Sequence, residues 1–288
     1  MPFYLFVTNP FSKHGLNERR IGTVVEALTA AGSRVDIVRT RGVSEAETAV
    51  SDLKRPYDAI ITAGGDGTIG EIINGLAGKT VPIGIIPCGT ANVLAGELEI
   101  PHRLRRAVDV ILQGRVLGLD VGVAGKRRFI LMASAGYDAQ VVEEVHRARG
   151  NRFGYRSYVF PMWRVLKRSR FPEITVELHG QKHTCRHVVV ANVQRYGGPF
   201  RPAPQAIYND GEFDVVMYQW GGRWNMIRYG ALAMAGSTAP KDDIVRIRAD
   251  RVTLSSEERV PLQCDGDPAG ELPRTIRLRR DAATFLVP

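Results

Sequence analysis

Cysteine is scarce in this sequence. Only Cys88, Cys185 and Cys264 occur in 288 residues, far apart and with no C-x-x-C pair. Such spacing excludes a disulfide framework or a zinc knuckle and leaves buried or incidental thiols in a reducing compartment. No apolar run approaches the ~20 residues of a membrane-spanning helix. The opening MPFYLFVTNP lacks a charged n-region and is too short for a signal segment, so a soluble cytoplasmic protein is expected. Internal repeats and low-complexity tracts are absent as well, and the length suits about two domains. What the chain does have is a surplus of cations. Its net charge of +9 suits an anionic partner, with nucleic acid, membrane surface and nucleotide all open.

Residues 59–76, AIITAGGDGTIGEIINGL, are the stretch around which the rest is arranged. The isoleucine-rich run 59–63 is too short for an ordinary helix and reads as a buried strand. Gly64-Gly65-Asp66-Gly67-Thr68 breaks it. Ile69, Ile72, Ile73 and Leu76 follow at helical spacing, with Thr68 and Glu71 placed as a capping box. Strand, glycine turn and helix start make an anion site, because glycine admits a phosphate to the backbone and the free N–H groups point at it. The run 65–70 fits G-x-G-x-x-G, yet residues 83–95 offer no acid for a ribose, which disfavours a dinucleotide site. No Gly-Lys-Ser/Thr stands at P-loop spacing after the turn. Asp66 inside a phosphate turn is either a functional carboxylate sharing a metal or proton, or a helix cap.

The first ~115 residues alternate strand and helix, as a parallel sheet covered by helices does. Strands are predicted at 4–8, 34–39, 59–63 and 81–86, and helices at 18–31, 45–54, 91–98 and 104–112. Ligands of such sheets sit beyond the carboxyl ends of the strands. There the sequence places Asn9-Pro10-Phe11-Ser12-Lys13, Thr40, the 64–68 turn and a second glycine turn, Pro87-Cys88-Gly89-Thr90-Ala91-Asn92. Beyond Gly114 strands dominate: 116–123, 128–134, 174–178, 185–192, 212–219, 243–247, 251–254, 259–265 and 275–280. The fold class expected is α/β, with a doubly wound parallel-sheet nucleotide domain at 1–115 and a mainly antiparallel second domain at 116–288.

Asn9-Pro10-x-Ser12, GGDGT with Glu71 and Asn74-Gly75, and Pro87-x-Gly89-Thr90-x-Asn92, in that order, resemble the diacylglycerol kinase catalytic-domain family. The likeness continues through Asp120, Asn192, Gly197-Gly198, Asn209-Asp210-Gly211 and Asp265-Gly266. It implies an ATP- and Mg²⁺-dependent lipid kinase with a β-sandwich second domain of the NAD kinase/diacylglycerol kinase type and an active site between the domains. Residue by residue, it implies nucleotide contacts at Asn9, Pro10, Phe11, Ser12, Lys13, Thr40, Gly65, Asp66, Gly67, Thr68, Ile69, Gly70, Glu71 and Thr90. Asp66 and Asp265 are the implied catalytic acids, Asp265 as the base that takes the acceptor's proton, with Asp267 in place of the family's Glu. The side chain of Asp210 with the backbone carbonyls of Ile207 and Glu212 is the implied Mg²⁺ site. Read without the family, Asp265-Gly266-Asp267-Pro268 and Asn-Asp-Gly are turn signals. Val93 departs from the family pattern, which has Asp there, and puts a metal arrangement near the phosphates in doubt.

Residues 146–170 carry eight Arg/Lys and no acid, interleaved with Phe153, Tyr155, Tyr158, Phe160 and Trp163. This suits an anionic membrane surface, or a helix with one apolar side in the core and a solvated cationic face. No nucleic-acid-binding signature accompanies the charge. The partners expected are a lipid substrate, most simply diacylglycerol, at an anionic membrane with which the protein associates peripherally, no nucleic acid, and as an open alternative a second copy in a homodimer. A NAD kinase and a non-catalytic lipid or nucleotide sensor on the same fold are the competing functions.

Overall fold

The computed structural model describes residues 1–9, 16–148, 156–236 and 242–288, the side chains of 156–159 excepted. The expected contacts Pro10, Phe11, Ser12 and Lys13, and the aromatics Phe153 and Tyr155, lie outside the described residues, as does the side chain of Tyr158. The chain forms two units, Met1–Leu119 with Asp281–Pro288, and Asp120–Arg280. The division thus falls four residues beyond the expected one, and the C-terminus returns to the first unit.

The first unit runs β1 (Phe3–Thr8), α1 (Glu18–Ala30), β2 (Arg34–Arg39), α2 (Glu45–Ser51), β3 (Ala59–Gly64), α3 (Asp66–Leu76), β4 (Ile83–Pro87), α4 (Val93–Glu97) and α5 (Leu104–Gln113), and ends in β5 (Val116–Ala124), which carries the chain into the second. The strands pair in the order β2-β1-β3-β4, all parallel. Successive side chains alternate between the two faces of such a sheet. Tyr4, Phe6, Ile61 and Ile86 pack with Ile21, Val24 and Leu28 of α1 and with Val108 and Ile111 of α5. Leu286 joins that core, and Phe285, fully buried, pairs beside Ile83 of β4. Burying two large apolar side chains in the first core, at ~25 cal/mol per Å² of apolar surface, is the physical reason the last residues leave the second unit.

The second unit contains β6 (Arg127–Phe129), β7 (Met132–Ala135), α6 (Tyr137–Ala148), α7 (Arg156–Arg168), β8 (Ile174–Leu178), β9 (Gln181–Cys185), β10 (His187–Ala191), β11 (Phe213–Tyr218), α8 (Arg223–Ala235), β12 (Ile244–Ala249), β13 (Arg251–Ser255), β14 (Pro261–Cys264), β15 (Asp267–Glu271) and β16 (Arg274–Leu286). The antiparallel sheet β12-β11-β10-β7-β14-β15 faces a layer in which β13 joins β8 to β16. Val188, Val190, Val215 and Leu262 from one sheet meet Ile174, Val176, Val252, Leu254 and Ile276 from the other. That is a β-sandwich core. On the outer face of the first sheet, Val189, Val216 and Tyr218 pack with Leu166 of α7 and with Met226 and Tyr229 of α8. The predicted strand 128–134 is two strands, β6 and β7, and 185–192 divides between the end of β9 and β10. Among the described residues no helix is long and apolar enough to cross a membrane.

Candidate functional site

Parallel pairing puts the carboxyl ends of β1, β2, β3 and β4 side by side. Thr8 sits opposite Arg39 and Ala63, and Gly64 opposite Pro87. Asn9, Thr40, the 64–68 turn and the 87–92 turn therefore share one edge of the first unit. Thr40 is buried there, its N–H and hydroxyl both donating to the Thr8 carbonyl.

The two glycine turns are locked together. The Cys88 N–H donates to the Gly64 carbonyl at 3.0 Å. A Cβ on Gly89 would come within 2.5 Å of Gly65 Cα, and one on Gly65 within 2.9 Å of Gly89 Cα. These two glycines serve contact between the turns. Asn92, in the left-handed conformation at φ 47°, accepts from the Gly89 N–H at 2.7 Å and donates to its carbonyl at 2.9 Å.

Gly67 differs. It is exposed, and a Cβ placed on it would meet nothing within 4 Å. It lies in the first turn of α3, where the N–H groups of Asp66, Gly67 and Thr68 precede the first helical bond, from Ile69 N–H to the Gly65 carbonyl. An open glycine beside first-turn N–H groups is the cradle that a phosphate needs.

Asp66 and Glu71 do other work than expected. Gly65, not Thr68, caps α3, so the capping box does not form. Glu71 accepts instead from the Ser44 and Ala46 N–H groups and so caps α2, whose own cap Ser44 makes no side-chain bond. Gly75 lets α3 approach the Glu47 carbonyl of α2. Asp66 accepts from the Val93 and Leu94 N–H groups, each at 3.0 Å, and caps α4. Burial raises the Asp66 pKa above the usual carboxylate value, opposed by those N–H bonds. The carboxylate expected to be catalytic thus braces the second turn from the first. The Val93 side chain is buried, so the position where the family has Asp faces the core here.

In the second unit the family-like residues form one hydrogen-bonded network around residues 130–132. Asp265, at φ 51°, accepts from the Ile130 N–H at 2.8 Å and from the Leu131 and Met132 N–H groups at 2.9 Å each. Asn192 is buried and donates to the Ile130 and Asp120 carbonyls, both at 2.9 Å. Asp120 in turn accepts from the Gly211 N–H at 2.7 Å. Gln263, which sequence reasoning missed, accepts from the Gly266 N–H and donates to Ser134 and to the half-buried Asp138. Burial raises the Asp138 pKa and lowers that of the neighbouring His187. A glutamine in the middle of an otherwise apolar strand was the available signal. Asp267 pairs with Arg127 at 2.7 Å and with His146 at 3.4 Å, away from a base's role.

Of the expected Mg²⁺ donors, the Asp210 carboxylate is committed elsewhere. Asp210 and Glu212 both pair with the Arg248 guanidinium, and the other Asp210 oxygen accepts from the Glu212 N–H at 3.2 Å. Among the described residues no group of three or more His, Cys, Asp or Glu could hold a metal. With its carboxylate held by a guanidinium and by a backbone N–H, Asp210 does not fit as the side-chain ligand of a Mg²⁺ ion.

A family profile described as "Diacylglycerol kinase catalytic domain" matches residues 3–124, and one described as "YegS C-terminal NAD kinase beta sandwich-like domain" matches residues 132–287. The chain is 28% identical over 273 residues to a diacylglycerol kinase of Bacillus subtilis (strain 168), covering 93% of this chain and 90% of that protein. It is 28% identical over 272 residues to a diacylglycerol kinase of Staphylococcus carnosus (strain TM300), covering 93% and 89%. A crystal structure of a diacylglycerol kinase from Bacillus anthracis str. Sterne shares its fold, with a TM-score of 0.77 at 22% identity over 100% of this chain and 97% of that one. Two profiles in sequence over nearly the whole chain, on a parallel-sheet unit and a β-sandwich unit, place it: the chain belongs to the diacylglycerol kinase catalytic-domain family of lipid kinases.

Proposed function

We propose that this lipid kinase transfers the γ-phosphoryl group of ATP to the hydroxyl of diacylglycerol or a related lipid alcohol at an anionic membrane surface. The observation that carries the reading is the open Gly67 turn at the carboxyl edge of the parallel sheet. The first-turn N–H groups of α3 hold a phosphate, with Asn9, Thr40 and Thr90 along the same edge. ATP, when bound, would supply the phosphoryl group, and Mg²⁺ would accompany its triphosphate. Asp265, whose carboxylate is oriented by three backbone N–H groups, accepts the proton of the lipid hydroxyl. Phosphoryl transfer asks little more of a protein than positioning and charge neutralisation. Incubation with labelled ATP and diacylglycerol vesicles, followed by solvent extraction, tests this. Label is expected in the organic phase, and its absence there at every lipid tried removes the proposal.

The membrane reading rests on α7 and α8, neither of which contains an acidic residue. Phe160 and Trp163 of α7 and Trp224 and Ile227 of α8 are exposed, Trp224 at 84%. Lys167 lies over the Trp163 ring at 5.5 Å, and the Arg223 guanidinium donates to the Lys167 carbonyl, which ties the start of α8 to the end of α7. Arg164 is occupied by Glu144 and takes no part. Aromatic rings at the headgroup level beside cations are the chemistry of interfacial binding. Replacing Lys167, Arg168 and Arg170 with Gln should cost ~1 kcal/mol per charge, about a hundredfold in affinity for anionic vesicles. Co-sedimentation at low salt checks it, and equal binding by variant and parent would make this a solvated face.

A further inference from the structure

Three acids fall within five residues at the start of β11, Asp210 and Glu212 in the loop before it and Asp214 in the strand. Three carboxylates this close repel one another unless a cation lies among them. Arg248 lies among them. It stands opposite Asp214 in the β11–β12 ladder, and its guanidinium pairs with Asp210 and, at 3.2 Å, with Glu212. Burial raises the Asp214 pKa, and the charge of Arg248 opposes that rise. From the other side, a Cβ on Gly211 would strike the Arg280 guanidinium, so that a second cation covers the turn at its glycine. The loop is also fastened to β5, through the Asp120 N–H to the Tyr208 carbonyl and the Gly211 N–H to the Asp120 carboxylate.

We infer that Arg248 is the resident cation of the 207–212 loop: its guanidinium holds the Asp210 carboxylate, the one side-chain donor of the implied Mg²⁺ site, together with that of Glu212, so the loop folds without metal. Mg²⁺ demands near-ideal octahedral oxygen geometry at ~2.0–2.1 Å and gives up its water reluctantly. A planar guanidinium reaches two carboxylates from one side chain, keeps its charge at every working pH, and costs no dehydrated ion. It also reaches the loop from a neighbouring strand, and so joins the loop to the sheet. Removing that side chain leaves the carboxylates of Asp210 and Glu212 without their guanidinium, and carboxylate oxygens are hard donors suited to a divalent cation.

The test is thermal unfolding of the full chain without nucleotide, in excess chelator and in millimolar MgCl₂ or CaCl₂. The parent is expected to unfold at one midpoint in all three. Arg248→Gln should unfold lower than the parent in chelator, by about 2–4 °C for each kcal/mol of lost ion pairing. Mg²⁺ or Ca²⁺ should restore part of that loss, and Asp210→Asn added to Arg248→Gln should abolish the restoration. Arg248→Lys keeps a charge in the loop and should remain insensitive to cations, which tests the idea even if the Gln variant does not fold. A parent midpoint that falls on chelation and returns with Mg²⁺ would overturn the inference. So would an Arg248→Gln variant that matches the parent in chelator, or one that no cation stabilises. None of these readings depends on turnover, so they stand apart from the fate of the proposed reaction.

Discussion

Asp265→Asn is expected to collapse turnover on diacylglycerol by 10²–10⁴-fold, the usual loss of general-base help, while ATP affinity stays near that of the parent. The nucleotide turns belong to the first unit and Asp265 to the second, so the two readouts separate binding from chemistry. Asn keeps the size and one acceptor oxygen but takes no proton. Geometry adds a second expectation. One carboxylate oxygen accepts from Leu131 and Met132 and the other from Ile130, and an Asn amide can replace only one of them. A donor then faces a donor at one side, which costs ~1–3 kcal/mol for a buried group left unsatisfied. The variant should therefore unfold a few degrees lower, and its turnover must be read well below that midpoint. Equal turnover in variant and parent would take Asp265 out of the mechanism.

Gly67→Val should remove ATP binding and leave stability untouched. Gly67 is not held at positive φ, and an added Cβ finds open space, so the folded chain accommodates the side chain without strain. What the side chain fills is the approach to the first-turn N–H groups of α3. Losing two hydrogen bonds to a charged phosphate, at ~1.5–3 kcal/mol each, amounts to a hundredfold or more in affinity. Calorimetric titration with ATP measures it. Gly89→Val is the contrast, since its Cβ would collide with Gly65 Cα and should lower the unfolding midpoint as well as the affinity. Undiminished ATP affinity in Gly67→Val would take the phosphate away from this turn.

The strand–turn–helix at 59–76 was legible because its signals are local: a short isoleucine run, a glycine cluster, and apolar residues at helical spacing. The convergence of Asn9, Thr40, Gly64 and Pro87 was legible too, since alternation of strand and helix forces parallel strands with their carboxyl ends together. Partner choice was not. Glu71 caps α2 and not its own helix, and Asp66 caps α4, because a carboxylate binds whichever orphan N–H groups the tertiary fold brings to it. The charged run Arg279-Arg280-Asp281 hid the continuation of β16 into the first unit, where Phe285 is buried. In α8 the apolar residues are spread around the helix, with Gly230 inside it, so periodicity marked no face. The pairing of Asp210, the side-chain donor of the Mg²⁺ site that the family resemblance implied, was hidden because Arg248, 36 residues beyond Glu212, is invisible to local pattern.

The claim that a lipid hydroxyl is the acceptor meets its most direct test in a competition. Labelled ATP is given to the parent chain with diacylglycerol in anionic vesicles and NAD in the same vessel, and the label is followed into the organic and aqueous products. The account predicts label in the lipid phase and none on NAD. Label on NAD with none on any lipid would contradict it.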